Sequence, residues 1–192
     1  GTNNTFIGAS AGDESTDADF NVAVGAFSLG AETLGSRSVA IGYQALLTQN
    51  FTTAQNVNTV AIGHQAGRST TTGTSNTLLG ALAGYSLTDA DNNISIGYNS
   101  LASDTMGSRS VAIGYEALNA QNFTTANPSN NVAVGYQAGH DLTTGQNNVI
   151  IGTFAADAMT TGGQNTVVGT GCMGSGVVTG SLNSAFGRNA GQ

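Results

Sequence analysis

A five-residue pattern of polar and apolar positions recurs along the whole chain. Each copy starts with Asn, Ser or Thr, continues with three mostly apolar residues and ends in Gly. The first copy spans residues 4–8 and the last spans residues 183–187. Side chains of a β-strand alternate between its two faces with a period of two. In each pentamer the second and fourth residues would therefore lie on one face and the third on the other. Each pentamer therefore predicts a short strand, and its Gly permits a sharp corner at the strand end.

The spacing of the pentamers predicts a β-solenoid. The intervals between successive pentamer glycines are 17, 17, 21, 17, 17, 17, 21, 17, 17 and 18. A longer super-repeat with a period of 72 is superimposed, since GSRSVAIGYQAL from Gly35 returns as GSRSVAIGYEAL from Gly107. Seventeen residues accommodate two short strands and two turns, which make one coil, and Gly with β-branched residues excludes a helical repeat. We expect an all-β parallel β-solenoid of about eleven 17–21-residue coils in one elongated domain, residues 1–192. Because the pattern continues to both ends, we also expect a piece of a longer fibre.

The leading Asn of the pentamer has two interpretations. It fits a ladder of side-chain amides stacked between coils. It also fits a simple turn residue, because Asn tolerates unusual backbone angles.

The pentamer is apolar on both faces. We expect its fourth residue, which is always large and apolar, to face the interior together with the second. The third residue would then point outward, yet it is apolar in ten of eleven copies. A strand that is apolar on both faces is typically buried on both, so we expect another copy of the chain to cover this side. The residues predicted at that interface are Phe6, Ala23, Ala40, Ala61, Leu78, Ala112, Ala133, Ile150 and Val167. Three of them, Phe6, Leu78 and Ile150, recur at the super-repeat period, as if they filled a wider layer.

Segments such as NVAVGYQAG and SVAIGYQAL carry a family resemblance. They resemble the trimeric β-roll repeats of phage tail-fibre proteins and are similar to those in the heads of YadA-like trimeric autotransporter adhesins. The resemblance implies left-handed coils in a parallel homotrimer packed about a threefold axis. The 17-residue spacing and the frequent GYQA continuation look more like the tail-fibre repeats.

Composition and charge exclude several partners. Only 8% of residues are charged, Lys is absent, and four Arg against eleven acids give a net charge of −7. The chain therefore lacks the basic surface that nucleic acids and anionic membranes require. It also lacks the run of about 20 apolar residues that a transmembrane helix needs, so we expect no membrane insertion of this segment.

Candidate chemistry is sparse, and we expect no enzyme and no cofactor. The two histidines, His64 and His140, occupy different coil positions, and we expect them to be surface polar residues without a carboxylate partner. The single cysteine, Cys172, stands where most coils have Ala and is expected to be a small buried side chain. The match to GxGxxG at residues 169–174 lacks the helix that a dinucleotide site needs.

Two pairs of acids recur at the super-repeat period. Asp17 and Asp19 return as Asp89 and Asp91 in the turn before a strand. Such an Asp-x-Asp pair offers oxygen ligands to a structural Ca²⁺, although loop Asp residues commonly cap a turn. These four residues are weak Ca²⁺ candidates.

Two four-residue insertions create the 21-residue coils, and we expect them to protrude as loops. Loops on a rigid scaffold commonly carry recognition. The candidate receptor-binding residues are Asn50, Phe51 and Thr52 in the first loop, Asn122, Phe123 and Thr124 in the second, and Tyr43 and Tyr115 beside the pentamers. The other interpretation is that these rings cover gaps between coils or between chains.

Three functions fit these patterns to different degrees. The first is a structural segment of a trimeric fibre on a virion tail or cell surface, where it positions or contributes to attachment to a glycan or protein receptor of the host. The second is an ice-binding solenoid, but we expect the Thr residues in irregular turns rather than in a ladder. The third, a polysaccharide-degrading solenoid, would need a carboxylate pair in a groove.

Overall fold

The computed structural model describes residues 1–175 and 179–191. Across these residues the chain forms fifteen short strands and no helix. The strands are β1 (Thr5–Ile7), β2 (Val22–Val24), β3 (Gly35–Ser36), β4 (Val39–Ile41), β5 (Gln55–Asn56), β6 (Val60–Ile62), β7 (Thr77–Leu79), β8 (Ile94–Ile96), β9 (Gly107–Ser108), β10 (Val111–Ile113), β11 (Asn127–Pro128), β12 (Val132–Val134), β13 (Val149–Ile151), β14 (Thr166–Val168) and β15 (Ser184–Phe186). All eleven pentamers contribute a three-residue strand, as predicted.

The pentamer strands stack into one parallel sheet in the order β1-β2-β4-β6-β7-β8-β10-β12-β13-β14-β15. Equivalent pentamer positions pair across neighbouring coils, so that Ala23 of β2 lies opposite Ala40 of β4. Successive coils stacked in register form a parallel β-solenoid of about eleven turns. The predicted all-β solenoid is therefore confirmed.

The second strand that we predicted for every coil is wrong for most of them. Within residues 1–175 and 179–191 it forms only beside the two long insertions, where β3 pairs with β5 and β9 pairs with β11. The rest of each coil contains several residues in the left-handed region, such as Phe27, Leu29 and Arg37 with φ of 58°, 50° and 65°. These angles interrupt the extended backbone that a strand requires, so the chain returns through turns.

The pentamer Gly forms the corner of the coil. At Gly42 φ is +133°, and an added Cβ would lie 2.3 Å from the carbonyl oxygen of Gly63 on the next coil. At Gly114 the corresponding distance, to the carbonyl oxygen of Gly135, is 2.2 Å. Any larger residue would both strain this backbone and separate the coils.

The leading Asn points inward and bridges coils. Asn93 is buried; its Nδ2 donates to the Gly107 carbonyl at 2.9 Å and its Oδ1 accepts from the Ser110 N–H at 2.9 Å. Asn76 makes the same pair of bonds to Ala90 and Asn93. These bonds satisfy buried backbone groups, so the amide ladder, and not the simple turn, is the correct interpretation.

The third pentamer residue points into the interior, which overturns the face assignment made from the sequence. From Ala23 to Val167 this position is fully buried within the chain itself, and Phe6 and Ala185 pack partly buried against the same core. The interface prediction for these side chains is therefore wrong. It fails for Phe6, Ala23, Ala40, Ala61, Leu78, Ala112, Ala133, Ile150 and Val167.

Complementary side-chain sizes explain the inward direction. The residue four places after the corner Gly also faces the core, and it is Gly in the coils that carry Phe6 and Leu78. A Cβ added to Gly84 would lie 2.8 Å from Leu78 Cδ2, and one on Gly12 would lie 2.7 Å from the Phe6 ring. Phe6 and Leu78 therefore fill space that these glycines leave open, as close packing of an interior requires.

Candidate functional site

The outward side of the main sheet is an apolar surface, which we call the outer face. It consists of the second and fourth residues of the eleven pentamers; all but four of them are apolar, and none is charged. Several are well exposed, including Ile7 at 59%, Leu79 at 43% and Phe186 at 64% of their surface. Parallel sheets are normally covered on both faces, so this exposed apolar patch is a candidate interaction surface.

A row of stacked rings follows the corner glycines of coils 6 to 9. This aromatic row consists of Tyr98, Tyr115, Tyr136 and Phe154. Tyr98 stacks on Tyr115 with centroids 5.4 Å apart, Tyr115 stacks on Tyr136 at 5.0 Å, and Phe154 meets Tyr136 edge-on at 5.2 Å. The negative charge of Glu116 raises the pKa of the Tyr115 phenol above its ordinary value.

The two tyrosines predicted to contact a receptor are placed in such stacks. Tyr115 has a tyrosine ring against each face, and Tyr43 stacks on His64 at 5.5 Å while Phe27 meets it edge-on at 6.3 Å. A sugar ring that stacks on an aromatic side chain needs an open ring face. The geometry therefore favours rings that cover the gaps between coils, with their edges and hydroxyls toward solvent.

The aromatic residues of the two insertions do not protrude, which corrects that expectation. Phe51 and Phe123 are buried at 3% and 5% exposure. The Phe51 N–H donates to Glu32 Oε1 at 3.2 Å, and the Phe123 N–H donates to Asp104 Oδ1 at 2.9 Å. Exposed residues of the loops include Asn50, Thr52, Asn122 and Thr124.

Two buried carboxylates that sequence reasoning missed hold these insertions. Glu32 is fully buried and accepts bonds from the backbone of Leu34, Gly35 and Phe51 and from Gln49 Nε2. Asp104, at the equivalent position of the second super-repeat, accepts from the backbone of Gly107 and Phe123 and from Gln121 Nε2. The signal was present in the sequence, because an acid precedes a Gln by one coil in both super-repeats.

The recurring Asp pairs bind the preceding coil. Asp19 accepts bonds from the backbone N–H and the hydroxyl of Thr2, and these bonds hold the pKa of its carboxyl below the ordinary value. Asp91 Oδ1 accepts from both groups of Thr74 at 2.7 and 2.8 Å. Asp89 accepts from the Thr72 hydroxyl, while Asp17 is exposed and lies 3.9 Å from the N-terminal ammonium. In the described residues no group of three His, Cys, Asp or Glu side chains is arranged to hold a metal ion.

His140 lies between carboxylates, contrary to the expectation for this residue. Its Nδ1 is 2.6 Å from Asp141 Oδ1 and its Nε2 is 3.7 Å from Glu116 Oε2. Asp157 lies on the next coil, and burial raises the pKa of its carboxyl. Both ring nitrogens of His140 therefore face acids of the chain itself. Cys172 is fully buried at the position where most coils have Ala, as predicted.

The Thr residues form a ladder, which corrects the expectation of irregular turns. At the eighth position after the corner Gly, neighbouring coils repeat Thr or Asn. Thr88 Oγ1 donates to the Thr105 carbonyl at 3.0 Å, and Thr71 Oγ1 donates to the Thr88 carbonyl at 3.1 Å. The ladder comprises Thr16, Thr33, Asn50, Thr71, Thr88, Thr105, Asn122, Thr143 and Thr160. These hydroxyl bonds run to neighbouring coils, so this column ties the solenoid together.

No family model, curated protein or solved structure matches the chain. Among the described residues, no helix is long and apolar enough to cross a membrane.

Proposed function

We propose that the chain is a structural segment of a trimeric fibre, either a phage tail fibre or a cell-surface adhesin, in which three copies with left-handed coils run parallel. The observation that supports this best is the exposed, uncharged and apolar outer face. Eleven strands at about 4.8 Å spacing give this face a length of roughly 48 Å. The resemblance of the pentamers to trimeric β-roll repeats supports three copies.

The charge distribution supports self-association through the outer face. Each chain carries a net charge of −7, so copies repel one another at long range. All acids lie away from the outer face, whose positions are uncharged throughout. Contact along this face therefore removes apolar surface from water without burying a charge.

A role in attachment is part of the proposal. The insertions place Asn50 and Thr52 at one level and Asn122 and Thr124 four coils away, about 19 Å along the axis. These polar side chains are exposed and suit hydrogen bonds to a glycan or protein receptor on a host surface. The fibre would serve on a virion tail or a cell surface.

Solution mass, measured by light scattering after size exclusion, tests the fibre proposal. The expected value is three times the mass of the 19.1-kDa chain. The double variant Leu79→Glu/Ile151→Glu places two charges on the outer face and should give a folded chain of lower mass. The matched control Thr52→Glu, in an exposed loop, should keep the parent mass. A parent protein that stays monomeric, or a double variant of unchanged mass, would contradict the proposal.

The Thr ladder supports one alternative, an ice-binding solenoid. Evenly spaced hydroxyls on a rigid surface can order water, although here their donors are directed to neighbouring coils. A monomer that shows thermal hysteresis would favour this alternative. A trimer without hysteresis would favour the fibre.

A further inference from the structure

The three tyrosines of the aromatic row form a set of adjacent phenols. Tyr98, Tyr115 and Tyr136 each follow a corner Gly on consecutive coils. Their rings are nearly parallel, with interplanar angles of 19° for the first pair and 7° for the second, and centroid distances of 5.4 and 5.0 Å. Each of the three residues is 42–46% exposed, so solvent and small oxidants have access to the ring edges.

We propose that Tyr98, Tyr115 and Tyr136 are a site of oxidative dityrosine cross-linking between neighbouring coils. A one-electron oxidant removes one electron from each of two phenols, and each phenol releases its proton to solvent. The two radicals form a carbon–carbon bond between ring positions beside the hydroxyls, and the ring hydrogens then move to the oxygens. The net change is the loss of two hydrogen atoms, as two protons and two electrons.

The geometry favours this reaction on several grounds. Parallel stacking keeps the equivalent carbons of neighbouring rings about one coil spacing apart. Exposed side chains change rotamer within nanoseconds, so the ring tips can cover the remaining distance.

The other two tyrosines provide internal controls. Tyr43 stacks on His64, at 5.5 Å. Tyr85 lies against the Arg68 guanidinium, whose central carbon is 5.8 Å from the ring centroid. No ring stacking with a second tyrosine is seen for either residue in the described part of the chain, so neither should couple efficiently.

A dityrosine bond would join neighbouring coils covalently, which a disulfide cannot do within this chain. The chain has one cysteine, Cys172, which excludes a disulfide within the chain. A Tyr98–Tyr115 bond would join positions 17 apart in sequence, and a Tyr115–Tyr136 bond would join positions 21 apart. Each would fasten one coil to the next.

Trypsin mapping tests the proposal, because the chain has no Lys and only four Arg. The whole protein is irradiated with a photoexcited ruthenium complex, with persulfate as the final electron acceptor, and is then denatured and digested. Cleavage at Arg68, Arg109 and Arg188 separates peptide 69–109, which contains Tyr98, from peptide 110–188, which contains Tyr115. The expected product is these two peptides joined, with two hydrogen atoms lost, from material that runs as a single chain on a denaturing gel.

Phenylalanine variants keep the ring and remove the phenol. Tyr98→Phe should abolish the joined peptides, and Tyr115→Phe should also abolish the loss of two hydrogens within peptide 110–188. Tyr85→Phe changes a tyrosine of the same tryptic peptide and should leave the yield unchanged. The proposal is overturned if Tyr85→Phe abolishes the joined peptides, if Tyr98→Phe retains them, or if only bonds between separate chains form.

Discussion

Each of the two super-repeats contains a buried cluster of polar side chains around a glutamine, but the hydrogen bonds of that glutamine differ between them. In the first, Gln49 Nε2 donates to Glu32 and to the Ser38 hydroxyl, but Gln49 Oε1 is buried without a hydrogen-bond partner. In the second, Gln121 Oε1 accepts from Asn131 Nδ2 at 2.8 Å. The residue equivalent to Asn131 in the first super-repeat is Thr59, which has no amide to offer.

The backbone follows the same path in both super-repeats, although the buried polar side chains are hydrogen-bonded differently. Both insertions leave the coil in the same way, with the N–H of Phe51 or Phe123 donating to a buried acid. The longer Glu32 side chain reaches three backbone donors, whereas Asp104 reaches two. The fold therefore tolerates exchange within the cluster while the backbone bonds to the acid are kept.

Removing the buried acid should have the largest effect. Glu32→Ala leaves three backbone N–H groups and the Gln49 amide without their acceptor, and we expect it to lower the free energy of unfolding by about 4 kcal/mol. Asp104→Ala, which strips two backbone donors and one amide, should cost about 3 kcal/mol. Denaturant unfolding measures both. Losses below about 1 kcal/mol in both variants would show that the acids do not hold the insertions.

Truncating a large residue at the third pentamer position should cause the next largest loss of stability. Leu78→Ala is expected to cost about 3 kcal/mol, because Gly67 and Gly84 beside it have no side chains to fill the cavity. Ile150→Ala should cost slightly less, since Ala156 occupies the place equivalent to Gly84. Denaturant unfolding compares the two variants with the parent.

The control for the core prediction is Leu79→Ala on the outer face, compared at a concentration where all variants share one oligomeric state. It should cost less than Leu78→Ala. The reverse order would contradict the inward direction of the third pentamer residue.

Exchanging Thr59 and Asn131, the equivalent residues of the two glutamine clusters, should have smaller effects on stability, of opposite sign in the two super-repeats. Thr59→Asn copies Asn131 and should stabilise the chain by about 1 kcal/mol, because it offers a donor to the unpartnered Gln49 oxygen. Asn131→Thr should destabilise by about 2 kcal/mol, because it removes the donors to Gln121 and to the Gly145 carbonyl. Thermal unfolding of both variants measures the difference, and two shifts of the same sign would refute it.

The smallest effect concerns Asp157, whose counterpart in the first super-repeat is Tyr85. Burial raises the pKa of Asp157 above its ordinary 3.8, so the folded chain holds this proton more tightly than the unfolded chain. Stability is therefore lost as pH rises through the raised pKa. Asp157→Asn should be more stable than the parent at pH 7, by less than about 1 kcal/mol, and equal to it below about pH 4. The difference in melting temperature between Tyr85→Phe and the parent should stay constant from about pH 3 to 8, because both chains keep Asp157.

The period of the pentamers was sufficient to predict the solenoid, its eleven pentamer strands and its corner glycines, but not the turns that replace a second strand in most coils. The direction of each strand was not predictable from alternation alone, because Ala40 and its neighbours Val39 and Ile41 are all apolar. Gly12 and Gly84, six places after Phe6 and Leu78, leave room for these large side chains, as a core filled without overlap requires. The same place is also Gly after Ala61 and Ala133, so the inner face could be assigned only from contacts between neighbouring coils.

The insertions and the Thr ladder are hidden in the sequence for a related reason. Phe51 and Phe123 lie in segments of loop-like composition, yet their backbone N–H groups donate to the buried carboxylates of Glu32 and Asp104. The Thr column was hidden because Asn50 and Asn122 interrupt it and the insertions shift its numbering. Both features depend on alignment of whole coils rather than on a local window.

The corner-to-corner stacking of the coils has a mechanical consequence. Backbone hydrogen bonds such as Gly42 N–H to the Val24 carbonyl join neighbouring coils, so they lie roughly along the axis and bear an axial load directly. A coil contributes about 4.8 Å to the folded length, whereas the same stretch of chain spans roughly 58 Å when extended. Under tension, each coil that opens would extend from about 4.8 Å to roughly 58 Å, about twelve times its folded length. The coils beyond it would stay intact.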